Sequence, residues 1–256
     1  THNLMPIDNS KTLVDLTDNL LLHYSKVKFN WTFKSLFFKL ELSRFKRYYK
    51  GLPKESTYSF ISERDKLNSN DIVILNDSKF ENNIYSKDSK NLLFIGNMES
   101  YPNFQAVENF IKQNGEFITK NGFILYVLGK GACRLEKFDL KWIYLYEDYS
   151  TISEINTMFR FGIAPMLSGA GLQNKVLDYI RHGLPTIATS IVTEAFPSNN
   201  EILITEDRVD RYPEIIENWQ LNVSYEEETR GYLSKNFSFE KIQNGVTKEL
   251  KKRLIL

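Results

Sequence analysis

The residues of this sequence best suited to chemistry on an anion are Lys175, Asp178 and the run of small residues just before them, Ser168-Gly169-Ala170-Gly171. Such a loop lets backbone N–H groups come close to an anion, and a helix opening after it adds a favourable field. That field is worth ~0.3–1 kcal/mol when exposed and up to ~2 kcal/mol when partly buried. Lys175 falls in the expected first turn, where its ammonium can meet a phosphate as a point charge. Gly171, Lys175, Asp178 and His182 follow i, i+4, i+7, i+11 spacing, so they are expected on one helix face, with Val176 and Ile180 on the other. A carboxylate at Asp178 can accept hydrogen bonds from ribose hydroxyls, as acidic residues do in dinucleotide folds. The spacing is equally met by a Gly-rich turn into a surface helix. Lys175 and Asp178 would then be a solvated i,i+3 pair worth ~0.2–0.5 kcal/mol.

The second half of the chain alternates apolar runs of strand length with helical periodicity. Strands are expected at Asn91–Ile95, Phe123–Leu128, Trp142–Leu145, Phe161–Ala164, Pro185–Thr189 and Ile202–Ile204. Helices are expected at Asn103–Lys112 and Leu172–Arg181, with a third opened by a Thr151/Glu154 capping box before Ile155, Met158 and Phe159. Continuous apolar strands separated by amphipathic helices predict a doubly wound, parallel α/β domain. Ligands of such sheets sit beyond the carboxyl ends of the strands, which points to the loops beginning at Gly96, Gly129, Tyr146, Pro165 and Thr189. The first half is less regular. It shows strands at Thr12–Leu16, Thr57–Ile61 and Asp71–Leu75 and a helical stretch from Leu20 to Lys50. These read as the rear of another α/β domain whose front is missing, and the polar run Asn76–Lys90 reads as the linker.

With 256 residues, 42% hydrophobic and 25% charged, the chain can bury a sizeable core, which excludes a disordered chain or a small disulfide scaffold. A net charge of +1 argues against a globally basic nucleic-acid binder. No apolar run approaches the ~18–20 residues of a membrane span. Cys133 reads as a small packed residue rather than a nucleophile, and His182 as a cation favoured at a helix end. His2 and His23 carry no pattern, and neither these histidines nor any Asp-x-Asp forms a metal site, so no metal is expected. Between Lys26 and Lys54 many basic residues face Glu41 alone, with Phe29, Trp31, Phe33, Phe37 and Phe38 interleaved. This suits either peripheral contact with an anionic membrane or lipid-linked acceptor, or core-packed helices with a solvated basic face.

Asn174-Lys175-Val176-Leu177-Asp178-Tyr179 and Gly183-Leu184-Pro185-Thr186-Ile187-Ala188-Thr189 resemble the donor-site motif of family-4 and related glycosyltransferases of the GT-B fold. Phe94-Ile95-Gly96-Asn97-Met98, Tyr101-Pro102-Asn103 and Leu128-Gly129-Lys130-Gly131 resemble the first two strands and loops of the same domain. Val14-Asp15-Leu16-Thr17-Asp18 and Ser59-Phe60-Ile61-Ser62-Glu63 resemble the close of the acceptor domain. The resemblance implies an α/β, GT-B-like fold: a C-terminal Rossmann-like sheet plus a partial N-terminal α/β domain lacking its front. Its parts would be 1–80 on the acceptor side, a linker at 81–90, a nucleotide-sugar domain at 91–238 and a returning C-terminal helix at 239–256.

The implied activity is metal-independent, retaining transfer from a nucleotide-diphosphate sugar to a glycan or lipid-linked acceptor. It would serve polysaccharide biosynthesis at the cytoplasmic face, with no cofactor and no nucleic acid. The implied donor contacts are Gly96, Asn97, Gly129, Gly169, Ala170, Gly171, Lys175, Asp178 and Glu194, with Lys175 and Asp178 carrying catalysis. Tyr146-Glu147-Asp148 lies where relatives hold the base. The family's Glu-x7-Glu pattern falls on Ala170 and Asp178, and the family's basic residues after the first strand are replaced by Gly96-Asn97-Met98. A non-catalytic nucleotide-sugar scaffold and a GT-B-fold epimerase are the alternative readings.

Overall fold

Apolar pentads such as Asn91–Ile95, buried from Leu92 onwards, suit strands covered on both faces. The computed structural model places this one inside a six-stranded parallel sheet. The structure describes residues 13–19, 21, 33–54, 56–148, 151–169, 171–198, 201–220 and 225–254. Two compact units emerge. The first takes in Thr1–Asn76, Ser168–Leu172 and Ile242–Leu256; the second takes in Asp77–Leu167 and Gln173–Lys241.

In the first unit, β1 (Leu13–Thr17), β2 (Thr57–Phe60) and β3 (Ile72–Val73) pair in parallel in the order β1-β2-β3, and α1 spans Phe33–Gly51. Leu52, Tyr58 and Phe60 form its core, with Val14, Leu16, Tyr48, Tyr49 and Leu67 packed against them. β3 is shorter than the expected Asp71–Leu75. Asp71 is held in the preceding turn, where Oδ2 accepts from the amides of Leu67 and Asn68 at 2.8 Å each. α1 turns Glu41 and Phe45 inward and leaves Leu36, Lys39, Leu40, Arg44, Lys46, Arg47 and Lys50 exposed. Residues 20 and 22–32, which include the expected aromatics Phe29 and Trp31, lie outside the described residues. Among the described residues no helix is long and apolar enough to cross a membrane.

The second unit runs β4 (Asn91–Ile95), α2 (Tyr101–Asn121), β5 (Ile124–Leu128), β6 (Ile143–Tyr146), β7 (Phe161–Ala164), α3 (Asn174–Arg181), β8 (Thr186–Ala188), α4 (Ser190–Thr193) and β9 (Leu203–Thr205). α5 (Tyr212–Asn218) and α6 (Tyr225–Phe237) follow, and α7 (Phe239–Leu254) continues into the first unit from Ile242. The sheet order is β6-β5-β4-β7-β8-β9, all parallel. The chain thus winds outward from β4 in one direction and from β7 in the other, leaving a topological switch point between them.

That switch point needs a support. β4 and β7 pair only at Leu92↔Phe161 and Leu93↔Gly162, and beyond this they part. The hydroxyl of Tyr179, on α3, fills the gap: it accepts from the Ile95 amide at 2.8 Å and lies 3.4 Å from the Ile163 carbonyl as donor. Gly162 makes the slot, since a Cβ there would lie 2.5 Å from the Tyr179 ring.

Two local expectations fail. The capping box at Thr151 and Glu154 opens no α-helix; residues Ile152–Ile155 form a single 3-10 turn with no side-chain cap, ended by Asn156 at φ 46°. Further on, the Phe159 backbone is bonded to Ile84 and Ser86, which draws the segment away from a helix. The run expected as a linker is docked instead. The amides of Ser78, Glu81, Ile84 and Ser86 donate to the carbonyls of Phe237, Arg181, His182 and Phe159, so residues 77–90 belong to the second unit.

Tyr179→Phe should leave the buried Ile95 amide without its acceptor and lower unfolding free energy by ~1–3 kcal/mol, measured by chemical denaturation. A change within experimental error would show that the hydroxyl does not stitch the switch point.

Candidate functional site

The loops beyond β4 and β5 are laced together at the switch point. The Gly96 amide donates to the Leu128 carbonyl and the Met98 amide to the Lys130 carbonyl, each at 2.8 Å. Gly129 stands at φ 135°, where a Cβ would lie 2.4 Å from the Gly96 oxygen, so only glycine permits this approach. Gly96, Asn97 and Gly129, expected together from sequence, are therefore neighbours. Asn97 shapes its own loop: its Oδ1 accepts from the Glu99 amide at 2.8 Å.

Lys175 occupies the second position of α3 and is 7% exposed. Its Nζ donates to Asn103 Oδ1 at 2.5 Å, reaches Met166 Sδ at 3.5 Å and stands 4.3 Å from the centre of the Phe94 ring. Asn103 in turn donates from Nδ2 to the Asn97 carbonyl at 3.0 Å. Phe94 is on β4, Asn103 in the first turn of α2, and Met166 just past β7, so the ammonium sits at the switch point itself. Among the described residues it has no carboxylate within ion-pair distance. Burial pulls its pKa down from the usual lysine value to about 7. A buried amine with one neutral oxygen, one sulfur and one ring around it is an under-compensated charge, and an anion brought beside it would restore the ammonium.

The other expected residues are placed differently. Helix α3 begins only at Asn174, so Gly171 lies before it at φ 68° and His182 is its C-cap; the expected four-residue face shrinks to Lys175 and Asp178. Nor is Lys175 on a solvated face, because α3 buries Lys175, Val176, Leu177, Tyr179 and Ile180. Asp178 is half-buried and pairs with Arg181 at 3.3 Å. Burial raises its pKa, opposed by Arg181. His182 Nδ1 is 2.5 Å from Asn82 Oδ1 and its Nε2 is 3.3 Å from Glu81; burial lowers its pKa while Glu81 raises it.

Gly169 is buried and Glu194 exposed, while Ala170 lies outside the described residues. Cys133 is exposed rather than packed, and the Glu147 carboxylate beside it raises the thiol pKa, which keeps it protonated. Among the described residues no group of three or more His, Cys, Asp and Glu is placed to hold a metal ion.

Asn103, Phe94 and Met166 surround the Lys175 amine and are not among the residues expected at the site. Phe94 and Asn103 lie within the motifs that resemble the first strand and loop of the domain, and Met166 just past β7, so their signal is their place beside the switch point. Arg64 and Asp65 are also missed. The Arg64 guanidinium donates from Nη2 to the Gly171 carbonyl at 3.2 Å.

The fold is that of GT-B glycosyltransferases. Crystallised TarM from S. aureus aligns with a TM-score of 0.61 at 16% identity over 75% of this chain, which spans 43% of that protein. A glycosyltransferase from Rickettsia africae gives 0.62 at 14% identity, covering 82% of this chain and 67% of that one. Anabaena HepE, solved with UDP and glucose, gives 0.55 at 10% identity, covering 86% and 76%. No curated protein is significantly similar to this chain in sequence. Residues 89–219 match the family described as Glycosyl transferases group 1, and the chain belongs to that family.

Lys175→Met tests the buried amine. The folded pKa near 7 lies below the unfolded value of 10.5, so the charge penalty is full below about pH 7 and fades as pH rises towards the unfolded value. The variant should be more stable than the wild type at pH 6–7, by on the order of a few kcal/mol, and the two should converge near pH 10–11. Melting curves across pH check this. A variant destabilised equally at every pH would show that the amine is not held neutral.

Proposed function

We propose that the chain transfers a glycosyl group from a nucleoside-diphosphate sugar to a glycan or lipid-linked acceptor. The observation that carries this reading is the under-compensated Lys175 ammonium at the switch point, in the first turn of α3. Such crevices receive nucleotides, and a helix amino end favours the diphosphate. The family match and the UDP bound in HepE and in a TarM variant support the same ligand class.

In the transfer, the anomeric carbon–oxygen bond breaks with its electron pair going to the leaving phosphate, and the acceptor hydroxyl oxygen bonds to that carbon while its proton passes to the leaving phosphate. Charge grows on that phosphate. Lys175 and the amides opening α3 stabilise it, so the cation comes from the protein rather than from a metal. For the diphosphate to reach it, Lys175 exchanges the Asn103 oxygen for phosphate oxygen. Gly96, Asn97 and Gly129 give the backbone its close approach. The loop of Gly169, Ala170 and Gly171 leads into the anion-binding turn. Asp178 is assigned to the ribose hydroxyls, after release from Arg181, and Glu194 to the donor sugar. Retention of anomeric configuration belongs to the same reading. So does polysaccharide assembly at a cytoplasmic membrane face, which the exposed basic side of α1, with Leu36 and Leu40, suits.

Calorimetry of UDP and GDP in buffers of different ionisation enthalpy tests the site. Around pH 8 binding should take up close to one proton, because the phosphate recharges Lys175. Lys175→Met should abolish that uptake and weaken binding ~10–100-fold, as expected for a lost charge-assisted contact of ~1.5–3 kcal/mol. Binding without proton uptake, or no binding of either nucleotide, would overturn the assignment. Uptake and tight binding without release of nucleotide from UDP-sugars, in the presence of an acceptor extract, would make the chain a nucleotide-sugar scaffold.

A further inference from the structure

Asn103 stands in the first turn of α2 with both ends of its amide engaged. Nδ2 donates to the Asn97 carbonyl at 3.0 Å, an oxygen that also accepts from the Ser100 amide at 3.1 Å. Oδ1 accepts from Lys175 Nζ at 2.5 Å. The amide group lies against the Gly96 α-carbon: a Cβ there would fall 2.9 Å from Asn103 Cγ, 3.0 Å from Nδ2 and 3.1 Å from Oδ1. A flipped amide would set its oxygen against the Asn97 carbonyl oxygen, so these neighbours allow one orientation. All of these residues belong to the second unit.

Lys175 is thereby held by an acceptor that carries no charge. Carboxylates on the surrounding elements are paired elsewhere: Glu99 with Lys130 at 3.0 Å, Glu108 with Lys112 at 3.4 Å and Asp178 with Arg181 at 3.3 Å. Burial is what lowers the amine's pKa to about 7. A carboxylate in place of the amide would keep the ammonium ionised and occupy it, and an incoming anion would meet a like charge. We propose that Asn103 is a positioning residue for donor binding: its neutral amide oxygen holds the Lys175 amine at the switch point and leaves its charge for the diphosphate to satisfy. This rests on the assignment of Lys175 to the diphosphate and adds the residue that keeps it available. As Nζ passes from the amide oxygen to a phosphate oxygen, Asn103 stays on the Asn97 carbonyl through Nδ2, so the loop after β4 keeps its shape through the exchange.

Asn103→Asp and Asn103→Ala, compared on the whole chain, test this. Both lose the donor to the Asn97 carbonyl, and only the first adds a charge. In the ligand-free protein the NMR resonance of Lys175 Cε reports the midpoint of its titration. That midpoint should rise by about 1–3 pH units in Asn103→Asp, as for an opposite charge in contact, and fall below the wild-type value in Asn103→Ala, where an acceptor for the charged form is gone. Midpoints unmoved in both variants would overturn the proposal whether or not nucleotide binds. For affinity, UDP should bind Asn103→Asp at least ~10-fold more weakly than Asn103→Ala at pH 8, because the diphosphate must displace a charged partner, while uridine should bind the two alike. Equal loss in the two variants, for uridine as for UDP, would reduce Asn103 to a tie within its loop and overturn the proposal. Should Asn103→Asp not fold, the Asn103→Ala midpoint decides, and a value equal to the wild type's overturns the hold on the amine. Failure of the wild type to bind UDP at any pH would instead sink the donor assignment and leave the lysine midpoints to decide whether Asn103 holds the amine.

Discussion

A lysine ammonium buried beside an asparagine oxygen, a thioether and an aromatic ring is the constraint on which the second unit turns. Taking such a charge out of water is unfavourable unless something repays it. The sheet sets where this happens. β4 and β7 pair at two positions only, which marks the topological switch point. The Tyr179 hydroxyl is bonded to both strands there, and Gly162 leaves the room its ring occupies. Lys175 is on the same short helix as Tyr179, so the hydroxyl that bonds β4 and β7 and the buried amine are positioned by one element.

The neighbouring loops complete the arrangement through backbone rather than side chains. Gly129 can approach the Gly96 carbonyl only because it lacks a Cβ, and the two loops are tied by main-chain hydrogen bonds. After the first strand of this unit stand Gly96-Asn97-Met98, and Asn103 accepts from Lys175. The small-residue segment Ser168–Leu172 clusters with the first unit, while Lys175, a few residues later, is counted with the second. Within the first unit, Arg64 donates to the carbonyl of Gly171.

Sequence periodicity read the regular strands closely: Asn91–Ile95 and Phe161–Ala164 are found with the expected bounds, because their continuous apolar character follows directly from burial on both faces. It failed where a distant partner overrode local preference. The Thr151/Glu154 pattern is a sound helix start, yet the chain beyond it is bonded to Ile84 and Ser86. The polar run at 76–90 looks like a linker because its hydrogen bonds are made by backbone, which composition does not show. Lys175 was singled out from its place after a Gly-rich loop. Its burial was not, since the covering atoms come from Phe94, Asn103 and Met166, far away in sequence.

A crystal structure of the chain with UDP bears most directly on the account. The account predicts the diphosphate beyond the carboxyl ends of β4 and β7, within ion-pair distance of Lys175 Nζ, with the Asn103–Lys175 hydrogen bond broken. A nucleotide seated elsewhere while Lys175 still donates to Asn103 would contradict it.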